Sequence, residues 1–135
     1  MHSIEINYLA VLVCGILSMV VGFLWYGPIF GKAWMKEVGK TEEELKKEFN
    51  PAKTYSLSVL GQMIMALALA YVFSLAGAES IMEGLRIGLA VWLGLTFAPF
   101  LVNGLYEGIS NKLLFLNTGY QLANTVVFTV VLILW

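Results

Sequence analysis

Four stretches of this chain, residues 6–31, 54–78, 87–106 and 113–135, contain no Asp, Glu, Lys or Arg. Each holds at least the ~20 residues with which a helix crosses ~30 Å of hydrocarbon. No water is available there for backbone N–H and C=O groups, and a helix satisfies them within the segment. With 59% apolar and 13% charged side chains over 135 residues, the chain lies far from the soluble average of roughly a quarter charged. The fold class that follows is all-α: a polytopic membrane protein built as a bundle of four transmembrane helices. The spans fall at about 8–26, 51–76, 81–106 and 113–135, with a cytoplasmic loop over about 27–50, and they form one domain over 1–135. The amino-terminal flank carries Glu5 and no Lys or Arg. The first apolar run is also too long for a signal-peptide core, so the segment is expected to be retained.

The first span ends in Trp25-Tyr26-Gly27-Pro28-Ile29-Phe30-Gly31-Lys32-Ala33-Trp34. Trp and Tyr favour the headgroup level and Gly-Pro interrupts a helix, so Trp25, Tyr26, Gly27, Pro28, Gly31, Lys32 and Trp34 read as an interfacial turn and anchor. Phe30, Trp34 and Val38 then recur every four residues with Lys32, Lys36 and Glu37 between them, predicting a short helix in the headgroup plane that Gly39 ends. Thr41 with Glu44 three residues on is a capping-box signal. Glu42–Lys46 and Glu43–Lys47 are spaced as i,i+4 ion pairs, so 41–49 is expected to be a small solvated helix. Asn50-Pro51 supplies the cap and first residue of span two.

Six of the eight basic residues, Lys32, Lys36, Lys40, Lys46, Lys47 and Lys53, lie between spans one and two, and Lys112 lies between spans three and four. Only Arg86 falls on the other side. The positive-inside bias therefore predicts a cytoplasmic first and third loop and both termini outside; the expected location is the bacterial cytoplasmic membrane. Five glutamates share the basic loop, so it is no polybasic nucleic-acid tail and no nucleic-acid partner is expected.

Small residues recur along helix faces. Ala10, Cys14, Ser18 and Gly22 are spaced by four on span one, and Gly84 and Gly88 on span three. Such spacing lets helices approach closely in lipid, within one chain or between copies in a homo-oligomer. Pro99 is expected to bend span three, and Glu83 with Arg86 to pair at its outer end. Amide side chains within the apolar spans include Gln62, Asn103, Asn117, Gln121 and Asn124, and Glu107 stands at the end of span three. Three readings stay open for them: hydrogen bonds between helices, a vestibule open to the cytoplasm with Glu107 as its titratable member, or contacts with a second subunit. The vestibule would take a lipophilic small molecule or serve a small transporter.

Chemistry has few candidates. The chain has no Asp, and its single His2 and single Cys14 stand apart from any metal-type spacing, so neither metal nor cofactor is expected and catalytic residues are none. Tyr26 and Lys32 would form an acid–base pair only in principle.

The run from Trp25 to Met35, with Gly39 soon after, resembles the hallmark of DUF1761, a family of small integral membrane proteins of unknown function. Members carry an apolar first helix ending in Trp-Tyr-small-Pro, then Phe-Gly-Lys-x-Trp and about three more spans. The weaker features Gly84 to Trp92 and Asn117-x-x-Tyr120 extend the resemblance along most of the chain. It implies a membrane protein and supplies no activity. Small multidrug transporters are less similar, because they need a carboxylate embedded in the first helix and here Glu5 lies outside the apolar run. The expectation is a non-enzymatic structural or interaction role among membrane lipids, as a homo-oligomer; the alternative is the transporter or lipophilic-ligand binder.

Overall fold

The computed structural model describes residues 5–135. His2 lies outside them. Four helices are long and apolar enough to cross a membrane, Tyr8–Ile29, Pro51–Ala76, Ile81–Glu107 and Asn111–Leu134, and the chain reads as an integral membrane protein. Short helices stand between the first two.

Helix α1 (Tyr8–Leu24) starts where the Asn7 side chain accepts the N–H of Ala10 at 3.1 Å. It does not break at Gly27-Pro28 as the sequence suggests. Residues Trp25–Ile29 form one wide π-helical turn, in which the Phe30 N–H reaches the Trp25 carbonyl at 2.9 Å. A turn closed by i→i+5 bonds takes in Pro28 without ending the helix. A turn at Phe30 leads into α2 (Gly31–Val38), which ends at Gly39 with φ 77°. A Cβ on Gly31 would lie 2.7 Å from the Tyr26 carbonyl oxygen, so this bend admits no side chain. Helix α3 (Glu42–Glu48) begins at Thr41, whose hydroxyl accepts the Glu44 N–H, and carries the Glu42–Lys46 pair at 3.3 Å. The other pair in this loop joins Lys40 to Glu48.

Helix α4 (Pro51–Ala76) is capped by Asn50 and closed by Gly77. Span three comprises α5 (Ile81–Trp92), a second π-helical turn (Leu93–Phe97) and α6 (Ala98–Glu107). Pro99, where the sequence predicts a bend, stands at the start of α6 just after that wide turn, and the helix runs on through it. The ion pair expected between Glu83 and Arg86 is not among the described ones: the Glu83 carboxylate accepts the Glu79 N–H at 3.2 Å and so helps to cap α5. Helix α7 (Asn111–Leu134) follows the Ser110 cap.

Helix α7 is the central element, with α1 and α5 packed on it; α4 packs most extensively on α1 and also touches α7. The buried core joins Val11 and Cys14 of α1, Ala66, Leu69 and Phe73 of α4, and Phe128 of α7. Along the α5–α7 contact, the Thr125 and Thr129 hydroxyls bond back to the carbonyls of Gln121 and Thr125. That leaves their other faces to glycines. A Cβ on Gly84 would sit 2.8 Å from the Thr129 methyl, and one on Gly88 3.1 Å from the Thr125 methyl. Ala10, Cys14 and Ser18 are fully buried, and Gly22 lies against the Tyr120 ring.

Candidate functional site

The turn at the end of span one points inward. The Trp25 indole N–H donates to the Leu116 carbonyl of α7 at 2.9 Å, and the Tyr26 hydroxyl donates to Asn117 Oδ1 at 2.7 Å. Tyr120, one turn further along α7, donates to the Ser18 carbonyl at 3.1 Å. These bonds lock α1 to α7 in register. The Tyr26 hydroxyl is thus bonded to Asn117, while Lys32 is exposed. Pro28 and Gly27 are exposed on the same turn, whereas Trp34 folds back so that its ring meets Tyr26 edge-on at 5.6 Å. Ser110 donates to Glu37 at 2.8 Å and ties α2 to the cap of α7.

Beside this turn a cavity of about 660 Å³ opens between α1, α4, α7 and the α2–α3 segment. Its aromatic lining falls into two groups. Tyr26 packs edge-on with both Trp34 and Tyr120, and Tyr55 packs edge-on with both Phe23 and Phe49. Ser18, Thr54, Ser58 and Asn117 contribute polar atoms, and Glu42 and Lys46 of α3 are its charged lining residues. Aromatic walls with a few placed polar groups, in a volume within the range of roughly 300–1,000 Å³ usual for small-ligand sites, make this the strongest candidate site of the molecule.

The six polar residues expected as a vestibule do not gather in one place. Asn117 lines the cavity. Gln62 donates to Gln121 at 3.3 Å, a direct bond between α4 and α7. Asn124 is fully buried with neither amide atom partnered, and Gln62 Oε1 is also without a partner. Asn103 and Glu107 are exposed on α6 and are not among the residues that line the cavity. The wide turn at Leu93–Phe97 accounts for their position: one extra residue in a turn rotates everything after it by about 100°, one residue's share of an α-helical turn.

Sequence reasoning missed Phe23, Phe49, Tyr55 and Tyr120 as lining residues, and it missed Trp92. The Trp92 indole N–H donates to the Thr118 carbonyl at 2.8 Å, two residues from the carbonyl that receives Trp25. A signal for this was present. Trp25-x-Gly27-x-x-Phe30-Gly31 recurs 67 positions later as Trp92-x-Gly94-x-x-Phe97-Ala98. Both copies lie at a π-helical turn, and in both the Trp ring meets the Phe five residues on at a tilt, with centroids 4.7 and 5.6 Å apart. Residues two apart on a helix project ~200° apart, so the two indoles grip α7 from opposite sides.

The model of the family described as "Protein of unknown function (DUF1761)" matches residues 9–133. The chain belongs to the DUF1761 family. No curated protein and no solved structure matches it. The matched residues take in both copies of the Trp-x-Gly-x-x-Phe-small turn and the helices of the cavity, so the site lies within the DUF1761 region itself.

Proposed function

We propose that this DUF1761 protein is a non-enzymatic four-span membrane protein that holds one lipophilic small molecule in the cavity between α1, α4, α7 and the α2–α3 segment. The carrying observation is the cavity's double aromatic lining at the end of the bundle that bears most of the basic residues. By the positive-inside bias this end faces the cytoplasm and both termini lie outside. The lining is preformed: Tyr26, Tyr120 and Asn117 are already fixed by hydrogen bonds, so a ligand need not order them. Cys14 is enclosed in the core and Tyr26 is engaged with Asn117, which favours binding over covalent chemistry. Photolabelling of the purified protein with a diazirine-bearing long-chain alcohol tests the reading. Label is expected on peptides containing Tyr55 or Trp34 and is expected to be largely lost in Ser58→Trp, which adds a bulky indole to the lining. Label spread evenly over the lipid-facing surface, unchanged in that variant, refutes it.

A second role, assembly with further copies of the chain, is favoured by a different observation. Span three packs chiefly on α7, and Leu95, Leu105 and Tyr106 are 74%, 72% and 90% exposed. Membrane lipids are the other partner for this surface.

A further inference from the structure

We propose that the cavity selects an amphiphile with a zwitterionic head, a phosphate–ammonium group of the phospholipid type, whose apolar chain lies between the aromatic groups. This rests on the cavity being a ligand site and adds the head-group chemistry. The charged side chains in the lining are two, of opposite sign, and both stand on α3 at the mouth: Glu42 and Lys46, with Oε1 and Nζ 3.3 Å apart. The deeper lining carries hydroxyls and one amide. A net anion would leave Glu42 opposing it, and a net cation would meet Lys46. A zwitterion instead matches both: its phosphate accepts a charge-assisted hydrogen bond from the Lys46 ammonium, and its own ammonium is attracted to the Glu42 carboxylate as an ion pair, with no hydrogen bond required. Opening the existing pair costs little, because both side chains are mostly in solvent. Trp34 and Phe49 are in the same lining, and aromatic rings attract an ammonium group that comes over their faces. Helix α3 is free to adjust, since it packs only lightly on the rest of the bundle and is held by Phe49 against Tyr55 and by the Lys40–Glu48 pair.

The test is competition against the diazirine alcohol on the full-length purified protein, using palmitoyl lysophosphatidylcholine, palmitoyl lysophosphatidic acid, palmitoyl glycerol and a chain-matched alkyltrimethylammonium. The zwitterion is expected to displace the probe at a concentration roughly tenfold below the other three, the scale of a charge-assisted contact or two. Glu42→Gln is expected to move the preference toward the anion, and Lys46→Gln toward the cation, with probe binding retained in both. These exposed positions carry little of the fold. Equal displacement by all four amphiphiles, with labelling still lost in Ser58→Trp, overturns the head-group assignment and leaves the cavity a ligand site. Probe labelling insensitive to every competitor and to Ser58→Trp overturns both.

Discussion

Asn124 is the side chain whose cost is least offset. It is fully buried, and neither Nδ2 nor Oδ1 has a partner among the described residues. An unpaired buried amide costs about 1–3 kcal/mol, whereas replacing it by an apolar group of similar shape is close to neutral or stabilising. Asn124→Leu is therefore expected to raise the apparent Tm in detergent or leave it unchanged. A drop of several degrees in thermal unfolding would mean that the amide has a partner, such as an internal water, in the folded protein. Gly31 is the opposite case. Its Cβ position lies 2.7 Å from the Tyr26 carbonyl oxygen, a backbone atom with no freedom to yield. Gly31→Ala should cost about 1–3 kcal/mol, the usual range for overpacking. Because Tyr26 lines the cavity, the variant should also label more weakly with the diazirine alcohol.

The helices themselves were legible. Each uncharged tract became a helix, and the Thr41, Asn50-Pro51 and Gly39 signals mark the observed ends of α2, α3 and α4. What the periodicity of an ideal helix could not give was the pair of π-helical turns. Gly27-Pro28 reads as a break, yet a wide turn carries the helix on to Ile29. Likewise Asn103 and Glu107 share a depth with Gln121 and Asn117, but depth does not fix the face, and the wide turn at Leu93–Phe97 shifts the face of every residue after it; both are exposed. The cavity was half legible for the same reason: Asn117 stood out as a polar residue in an apolar tract, whereas Phe23, Tyr55 and Tyr120 look like ordinary span residues until the helices are assembled. The repeated Trp-x-Gly-x-x-Phe-small turn also makes an element-level prediction. Trp25→Phe and Trp92→Phe each remove one indole donor to an α7 carbonyl and keep most of the ring. Each should destabilise by about 0.5–1.5 kcal/mol in denaturant or thermal titration, the net value of one hydrogen bond. Trp25→Phe should additionally reduce probe labelling, because its neighbours Tyr26 and Phe23 line the cavity, and Trp92→Phe should not.

At the scale of the molecule, the internal repeat exposes an asymmetry. The two repeated turns place α1 and α5 on α7, but α1 also has α4 against it and span three has no helix of comparable contact on its far side. In lipid this is no burden for apolar residues, since hydrocarbon tails solvate Leu95 and Leu105 as well as another helix would. Asn103 is different: exposed on α6, it gains a partner only if a polar group approaches from outside the chain. Interhelical amide bonds in membranes are worth about 0.6 kcal/mol on average, so packing must supply most of any association and Asn103 chiefly its register. If copies pair through span three, a thiol at Leu95 in a Cys14→Ser background should cross-link between chains in native membranes with a short bis-maleimide. A thiol at Ile64 on α4, of similar exposure at 59% against 74%, should not. Adding Asn103→Leu should lower the Leu95 yield without affecting probe labelling in the cavity, since Asn103 lies apart from that lining. Equal yields at Leu95 and Ile64 would leave lipid as the neighbour of both surfaces. The one-chain cavity would then be the whole functional unit.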